Sequence, residues 1–137
     1  MIEPIFIDTG AFFAAKCSSD KNHPVAFSFY NSVCESGEFD LVTTNLIIFE
    51  TVTLAKGKIG IDFAIEFGKS LRNSSFIKIV KITEELENKS WDIFDRYHDK
   101  DYSFVDCASF IVMKELGIRK AFAFDKHFQQ FGFEKVP

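Results

Sequence analysis

A chain of 137 residues with 47% hydrophobic side chains and 18 phenylalanines has the length of one domain, 1–137, and enough apolar surface to bury a core of its own. Its formal net charge of −4 has the wrong sign for a protein that grips nucleic acid by bulk electrostatics alone. No apolar run approaches the ~20 residues of a membrane helix, and the start MIEPIFID lacks the basic region and the length of a signal peptide, so a cytoplasmic protein with no membrane partner is expected.

The first predicted strand is PIFI, and Asp8 closes it. Helical spacing of apolar residues follows over Gly10 to Cys17 and Asn22 to Glu35, then the strand FDLVTT, then helices over Asn45 to Lys56 and Ile61 to Asn73. FIKIVKI reads as the third strand, Glu84 to His98 and Phe104 to Leu116 as helices, KAFAF as the fourth strand, Lys126 to Phe131 as a short helix and FEKV as the fifth strand. Gly37, Gly60, Gly117 and Gly132 stand where helices end and are expected in the left-handed conformation there. Strands alternating with helices predict an α/β fold with a five-stranded, mainly parallel sheet flanked by helices.

In such a sheet the ligand edge is the one where strands end and helices begin. Asp8 ends the first strand, Asp125 ends the fourth, and Asp106 lies in the first turn of the helix that Ser103 can cap. Each also has a plain structural reading. Ser103 and Asp106 have the spacing of a capping box, and an Asp that closes a strand is a favoured N-cap. Glu50 is different, because it falls inside the apolar stretch NLIIFETVTLAKG, too deep in the helix to serve as a cap. A carboxylate there must find a Lys, reach solvent or meet a cation.

If all four acids share one pocket, the electrostatics are severe. Two ionised carboxylates about 5 Å apart repel by roughly 3 kcal/mol at an effective dielectric near 20, and four of them make six pairs. Protons or a cation must relieve this. An all-oxygen set with no Cys or His suits a hard ion such as Mg²⁺ or Mn²⁺. Four acids used as ligands also leave the remainder of the chain without net charge, so its Lys and Arg can still form a basic rim.

The blocks IFIDTGAFFA, NLIIFETVT, KDYSFVDCASFIVMKELGI and AFAFDKHFQQFGF, in this order and spacing, resemble the PIN-domain family, in particular the VapC-type toxin ribonucleases of toxin–antitoxin pairs. The resemblance spans nearly the whole chain and is weakest from Lys58 to Lys89. It implies a parallel sheet of strand order 3-2-1-4-5 and a Mg²⁺- or Mn²⁺-dependent endoribonuclease that hydrolyses RNA phosphodiester bonds with a metal-activated water. It also implies a cognate antitoxin protein and a homodimer as partners. By motif match the family's catalytic and metal-ligating acids fall on Asp8, Glu50, Asp106 and Asp125, with Asp8, Glu50 and Asp106 as the core set. Thr9 follows the pattern and is expected to hydrogen-bond a ligand. One position departs from it: Val105 stands where such proteins commonly carry Ser or Thr just before the third acid. The competing readings are a PIN-fold module that binds RNA or protein with little or no nuclease activity, and a phospho-receiver, which also gathers Asp residues at a sheet edge.

Other features carry less. GKS at Gly68 to Ser70 lacks the Gly five residues earlier that a phosphate-binding loop requires, since Phe63 stands there. Cys17, Cys34 and Cys107 are odd in number and widely spaced, which predicts buried thiols. His23, His98 and His127 share no ligand spacing, and His127 in DKHF is expected to pack or hydrogen-bond locally. Asp99 and Asp101 are near Asp106 in sequence and could line the pocket, but a solvated loop is the expected reading. Lys56, Lys58, Lys100, Arg119, Lys120 and Lys126 lie at element ends, where they can face RNA phosphates or complement helix dipoles. The early helices carry Phe12, Phe13, Phe27, Phe29 and Tyr30, and any part of these left uncovered predicts a protein interface.

Overall fold

The computed structural model describes residues 2–137. Its elements run β1 (Glu3–Ile7), α1 (Thr9–Lys16), α2 (His23–Ser36), β2 (Phe39–Thr44), α3 (Asn45–Lys58), α4 (Ile61–Arg72), β3 (Ile77–Val80), α5 (Glu84–Arg96), α6 (Phe104–Leu116), β4 (Lys120–Phe122), α7 (His127–Phe131) and β5 (Glu134–Val136). The sheet order is β3-β2-β1-β4-β5 and every pairing is parallel. This is the order the resemblance implied. It excludes the phospho-receiver, whose sheet has the order 2-1-3-4-5.

Residues buried on both sides build the centre of the sheet. Ile5, Phe6 and Ile7 of β1 and Ala121 and Phe122 of β4 are inaccessible to solvent or nearly so. Their near-continuous apolar runs are what a parallel strand covered by helices requires. Five phenylalanines, at positions 6, 12, 110, 122 and 128, are the largest of the fully buried side chains, and each contributes on the order of 1.5–3 kcal/mol by leaving water.

Element ends differ from the sequence expectation in places. β3 stops at Val80 rather than running to Ile82, because the Ile82 N–H turns away to donate to Asn45 Oδ1 at 3.0 Å. β4 stops at Phe122, so Asp125 lies in the turn beyond the strand and not at its last residue. Gly37, Gly117 and Gly132 end their helices in the left-handed region, as expected. Gly60 does not: with φ 137° and ψ 169° it begins α4, while Ile59 ends α3. That extended mirror-image conformation is still one only glycine adopts readily, and it lets α3 and α4 turn back on each other within two residues.

The predicted excess of aromatic side chains on the early helices is mostly absorbed. Phe12, Phe13 and Tyr30 are buried and Phe29 packs on the core, leaving Phe27 half exposed. Other uncovered apolar residues lie on α2 itself (Val25), on α3 and α4 (Phe49, Ile61, Ile65), ahead of β3 (Phe76) and on α5 (Trp91, Phe94).

Candidate active site

Asp8 is fixed by its main chain before its side chain is considered. Its N–H donates to the Phe122 carbonyl at 3.0 Å, and its own carbonyl accepts from Ala11 and Phe12 as α1 begins, each at 3.1 Å. Asp8 is thus the N-cap residue of α1, yet its side chain makes no capping hydrogen bond. A carboxylate that is buried and does not cap has some other use. Behind Asp8, the Thr43 hydroxyl donates to the Ile7 carbonyl at 2.9 Å in full burial.

Glu50 arrives from α3. Thr44 caps that helix by accepting the Ile47 N–H at 3.1 Å, which sets the helix start and so the height of Glu50, six residues on. Packing of α3 on α1 then brings Glu50 to Thr9. The Thr9 hydroxyl donates to Glu50 Oε1 at 2.5 Å.

Asp106 arrives from α6, where it forms the capping box with Ser103. Ser103 Oγ accepts the Asp106 N–H and the Ser103 N–H donates to Asp106 Oδ2, each at 3.0 Å. Capping satisfies Asp106 Oδ2 without removing the residue from the pocket. Asp125 is the most exposed of the four, and its Oδ1 accepts the His127 N–H at 2.9 Å.

All four acids line one cavity of about 800 Å³, whose rim also includes Lys21, Asp101 and Lys135. Asp101 is exposed in the loop before α6, as expected, and from there also lines the pocket. Among the described residues, no Lys or Arg lies within ion-pair distance of Asp8, Glu50, Asp106 or Asp125; the partner within that distance is His127. The electrostatic consequence falls on the buried members. Burial pushes the Asp8 carboxyl well above the ordinary carboxylate range, and the charges of Asp125 and Asp106 push it further, against a smaller opposing pull from the Thr9 backbone N–H. Burial also raises Asp106, where the Ser103 N–H and His127 oppose the rise.

Three placements were not legible in the sequence. His127 was expected to bond locally, but its ring Nδ1 lies 2.8 Å from Asp106 Oδ2, across two elements. Lys21 and Lys135 are the rim cations, and neither stood out in the chain. Arg119 and Lys120, which did, sit at the start of β4 at the other end of the sheet, held by Glu3. Lys56 lines an apolar hollow of about 390 Å³ between α3 and α4 instead of the acidic cavity. Val105 borders a further hollow, mostly apolar, with Leu46, Phe49, Thr53 and Leu54 beside Glu50.

A parallel 3-2-1-4-5 sheet with four carboxylates converging at one site defines a class, the PIN-type nucleases. The chain belongs to this family: the PIN domain match covers residues 5–134. It is 33% identical over 132 residues to the 23S rRNA-specific endonuclease VapC20 of Mycobacterium tuberculosis, covering 96% of this chain and 97% of that protein. It is 31% identical to a VapC ribonuclease of Archaeoglobus fulgidus, covering 89% of this chain and 77% of the relative. The crystal structure of Mycobacterium tuberculosis VapC20, described as a sarcin-ricin loop cleaving toxin, superposes with a TM-score of 0.88 at 32% identity over 96% of this chain and 98% of that one. FitAcB from Neisseria gonorrhoeae shares the fold, with a TM-score of 0.69 at 13% identity over 97% and 96% of the two chains.

Thr9→Val keeps the shape and the β-branch while removing the donor to Glu50. The expected result is a loss of about tenfold in divalent-ion affinity, in the range seen when a ligand loses its hydrogen-bond partner. Titrating the ion concentration needed for half-maximal cleavage measures it; an unchanged midpoint would show that Thr9 serves only the start of α1.

Proposed function

We infer that this chain is a divalent-metal-dependent endoribonuclease of the VapC toxin type, with Asp8, Glu50, Asp106 and Asp125 as the residues that hold Mg²⁺ or Mn²⁺. The observation that carries the reading is the convergence of four carboxylates, from four separate segments, on a cavity with no Lys or Arg partner among the described residues. The donor set fits the group: all the acids offer hard oxygens, and the raised Asp8 and Asp106 carboxyls mark a charge deficit that a cation relieves. A hard divalent ion bound here supplies a water acidified toward neutrality and positive charge against the phosphoryl oxygens.

The chain's own residues do the rest. Asp8, anchored between β1 and β4, and Asp106, anchored by the α6 cap, fix two ligand positions on rigid elements. Glu50, tied by Thr9, closes the site from α3, and the half-exposed Asp125 faces the open side where a second ion or a water is held. Lys21 and Lys135 stand on the rim, where phosphates flanking the scissile one would pass; such contacts place the strand without reading its sequence. No side-chain nucleophile is required, in keeping with a motif set built of carboxylates.

The relative named as a 23S rRNA-specific endonuclease makes the sarcin-ricin loop the first RNA to test. A cognate antitoxin and a second copy of the chain belong to the same reading, and the uncovered apolar side chains of α3, α4 and α5 offer surface for them. Residues 1–137 then act as one domain, in the cytoplasm.

The test is incubation of the purified protein with the sarcin-ricin loop and with unstructured RNA, in Mg²⁺, in Mn²⁺ and in excess EDTA. Cleavage in either ion and none in EDTA is expected. Undiminished cleavage in EDTA sinks the metal reading. RNA bound but left intact in both ions would instead favour a PIN-fold binding module, the reading that Val105 supports.

A further inference from the structure

His127 touches two of the four carboxylates with two different groups. Its backbone N–H donates to Asp125 Oδ1 at 2.9 Å, and its ring Nδ1 lies 2.8 Å from Asp106 Oδ2. An ionised carboxylate only accepts, so the ring donates its Nδ1–H to Asp106. That same oxygen already accepts the Ser103 N–H at 3.0 Å. Oδ2 is therefore held from two sides, once by the cap of its own helix and once by a residue outside it. Oδ1 carries neither bond.

The imidazole is itself confined. Tyr102 meets it edge to face, with ring centroids 5.6 Å apart at 78°, and the buried Tyr102 packs on Phe110 at 5.0 Å. A ring walled by an aromatic layer and tied to a carboxylate has little freedom left, which makes it a rigid brace and not a mobile base.

We propose that His127 is a positioning residue of this site: its ring holds the Asp106 carboxylate and its backbone the Asp125 carboxylate in the arrangement that receives the divalent ion. The inference rests on the metal-centre reading of the pocket. Two acids on separate segments repel and, left alone, would splay apart in the metal-free protein; one donor residue spanning both opposes that. The competing geometry is direct ligation by the imidazole, since ligand atoms of Asp106, Asp125 and His127 lie within 4.8 Å of one another. A hard ion with carboxylates at hand disfavours it, and the Nδ1 position is already engaged.

Asn and Gln separate these roles, because an Asn side-chain N–H falls near the place of Nδ1 and a Gln N–H near that of Nε2, and both lack the ring equally. Mn²⁺ alone is titrated into the metal-free parent, His127→Ala, His127→Asn, His127→Gln and Asp8→Asn by calorimetry, with a thermal melt of each. The expected result is a loss of about 10–100-fold in Mn²⁺ affinity for the Ala and Gln variants, with Asn restoring it to within about threefold of the parent. Cleavage at saturating Mn²⁺ should recover far more than cleavage at low Mn²⁺. Parental affinity in His127→Ala overturns the proposal, and so does an Asn variant as weak as Ala. A Gln variant that outperforms Asn overturns it in favour of direct ligation through Nε2. Asp8→Asn tells the two failures apart: if it binds Mn²⁺ as the parent does, the metal reading itself fails, whereas if it alone loses Mn²⁺, that reading stands and only the role of His127 falls.

Discussion

Replacing Asp8 with Asn is expected to raise the melting temperature of the metal-free protein and to abolish cleavage, so that stability and activity move in opposite directions. The stability gain follows from the direction of the Asp8 shift. Burial, then Asp125 and Asp106, raise its carboxyl above the unfolded value, so the folded chain keeps this proton to a higher pH than the unfolded chain does. Such a group contributes stability that is fully present below the unfolded carboxylate range, near pH 4, and lost as pH rises through the raised folded value. At neutral pH the unfolded chain's Asp8 is ionised, so the raised folded carboxyl works against the metal-free fold whether it keeps its proton or loses it. Asn is neutral throughout, so Asp8→Asn should melt higher than the parent at pH 7 in EDTA and converge with it near pH 4. Each kcal/mol of relief appears as roughly 4 °C in a domain of this size.

The activity loss has a separate cause. Asn keeps the size and gives up both a formal charge and an anionic oxygen, so the decline should exceed the ~10–100-fold that follows loss of a ligand's hydrogen-bond partner. In Mg²⁺ the order of melting temperatures should narrow or reverse, because the parent gains from binding the ion and the variant does not. A capping role for Asp8 leads to a different outcome, since Asn caps as well as Asp and would leave both stability and cleavage near parental. The missing capping hydrogen bond already weighs against that role. Cleavage by Asp8→Asn at the parental rate would remove Asp8 from the site.

Phe110→Ala is expected to cost about 3–5 kcal/mol of stability, the usual range for truncating a fully buried Phe. That corresponds to a fall on the order of 10–20 °C in melting temperature. Phe110 is inaccessible to solvent and stands at the centre of an aromatic layer, stacked on Phe131 at 4.3 Å and edge-on to Phe128 at 5.2 Å and Tyr102 at 5.0 Å. The layer joins α6 to α7, so the cavity left behind loosens the platform under Tyr102 and, through it, His127. The melt and the metal dependence of cleavage should therefore shift together. Phe110→Leu, which fills most of the space, should recover the larger part of both. A melting temperature within a few degrees of the parent for the Ala variant would mean that the layer collapses over the gap and carries less than its burial implies.

Much of this molecule was written in local pattern. Short β-branched and aromatic runs located the five strands and period-3.6 apolar spacing the seven helices, because each element must bury apolar surface whatever its neighbours are. Gly37, Gly117 and Gly132 marked helix ends for a reason internal to the backbone, and Glu50 drew notice because a carboxylate deep in an apolar helix is costly anywhere. The shortfalls in local pattern were at boundaries: Gly60 opens α4, where the tight α3–α4 turn requires its positive φ, and β4 ends before the turn that carries Asp125.

Only the tertiary structure decided which side chains meet. Thr9 and Glu50 are 41 positions apart and His127 and Asp106 are 21 apart, and both bonds exist because α1 packs on α3 and α6 on α7. The same holds for charge. Lys120 stood out as a cation that could face RNA and Lys135 did not, yet Lys120 starts β4 beside Glu3 and Lys135 reaches the rim of the acidic cavity. A sequence period says that a residue lies on a face; it carries no information on what the opposing face presents. Hydrogen bonds and ion pairs decay within a few ångströms, so they are settled by how whole elements dock, and that is fixed by the burial of the phenylalanine core and not by the polar residues themselves.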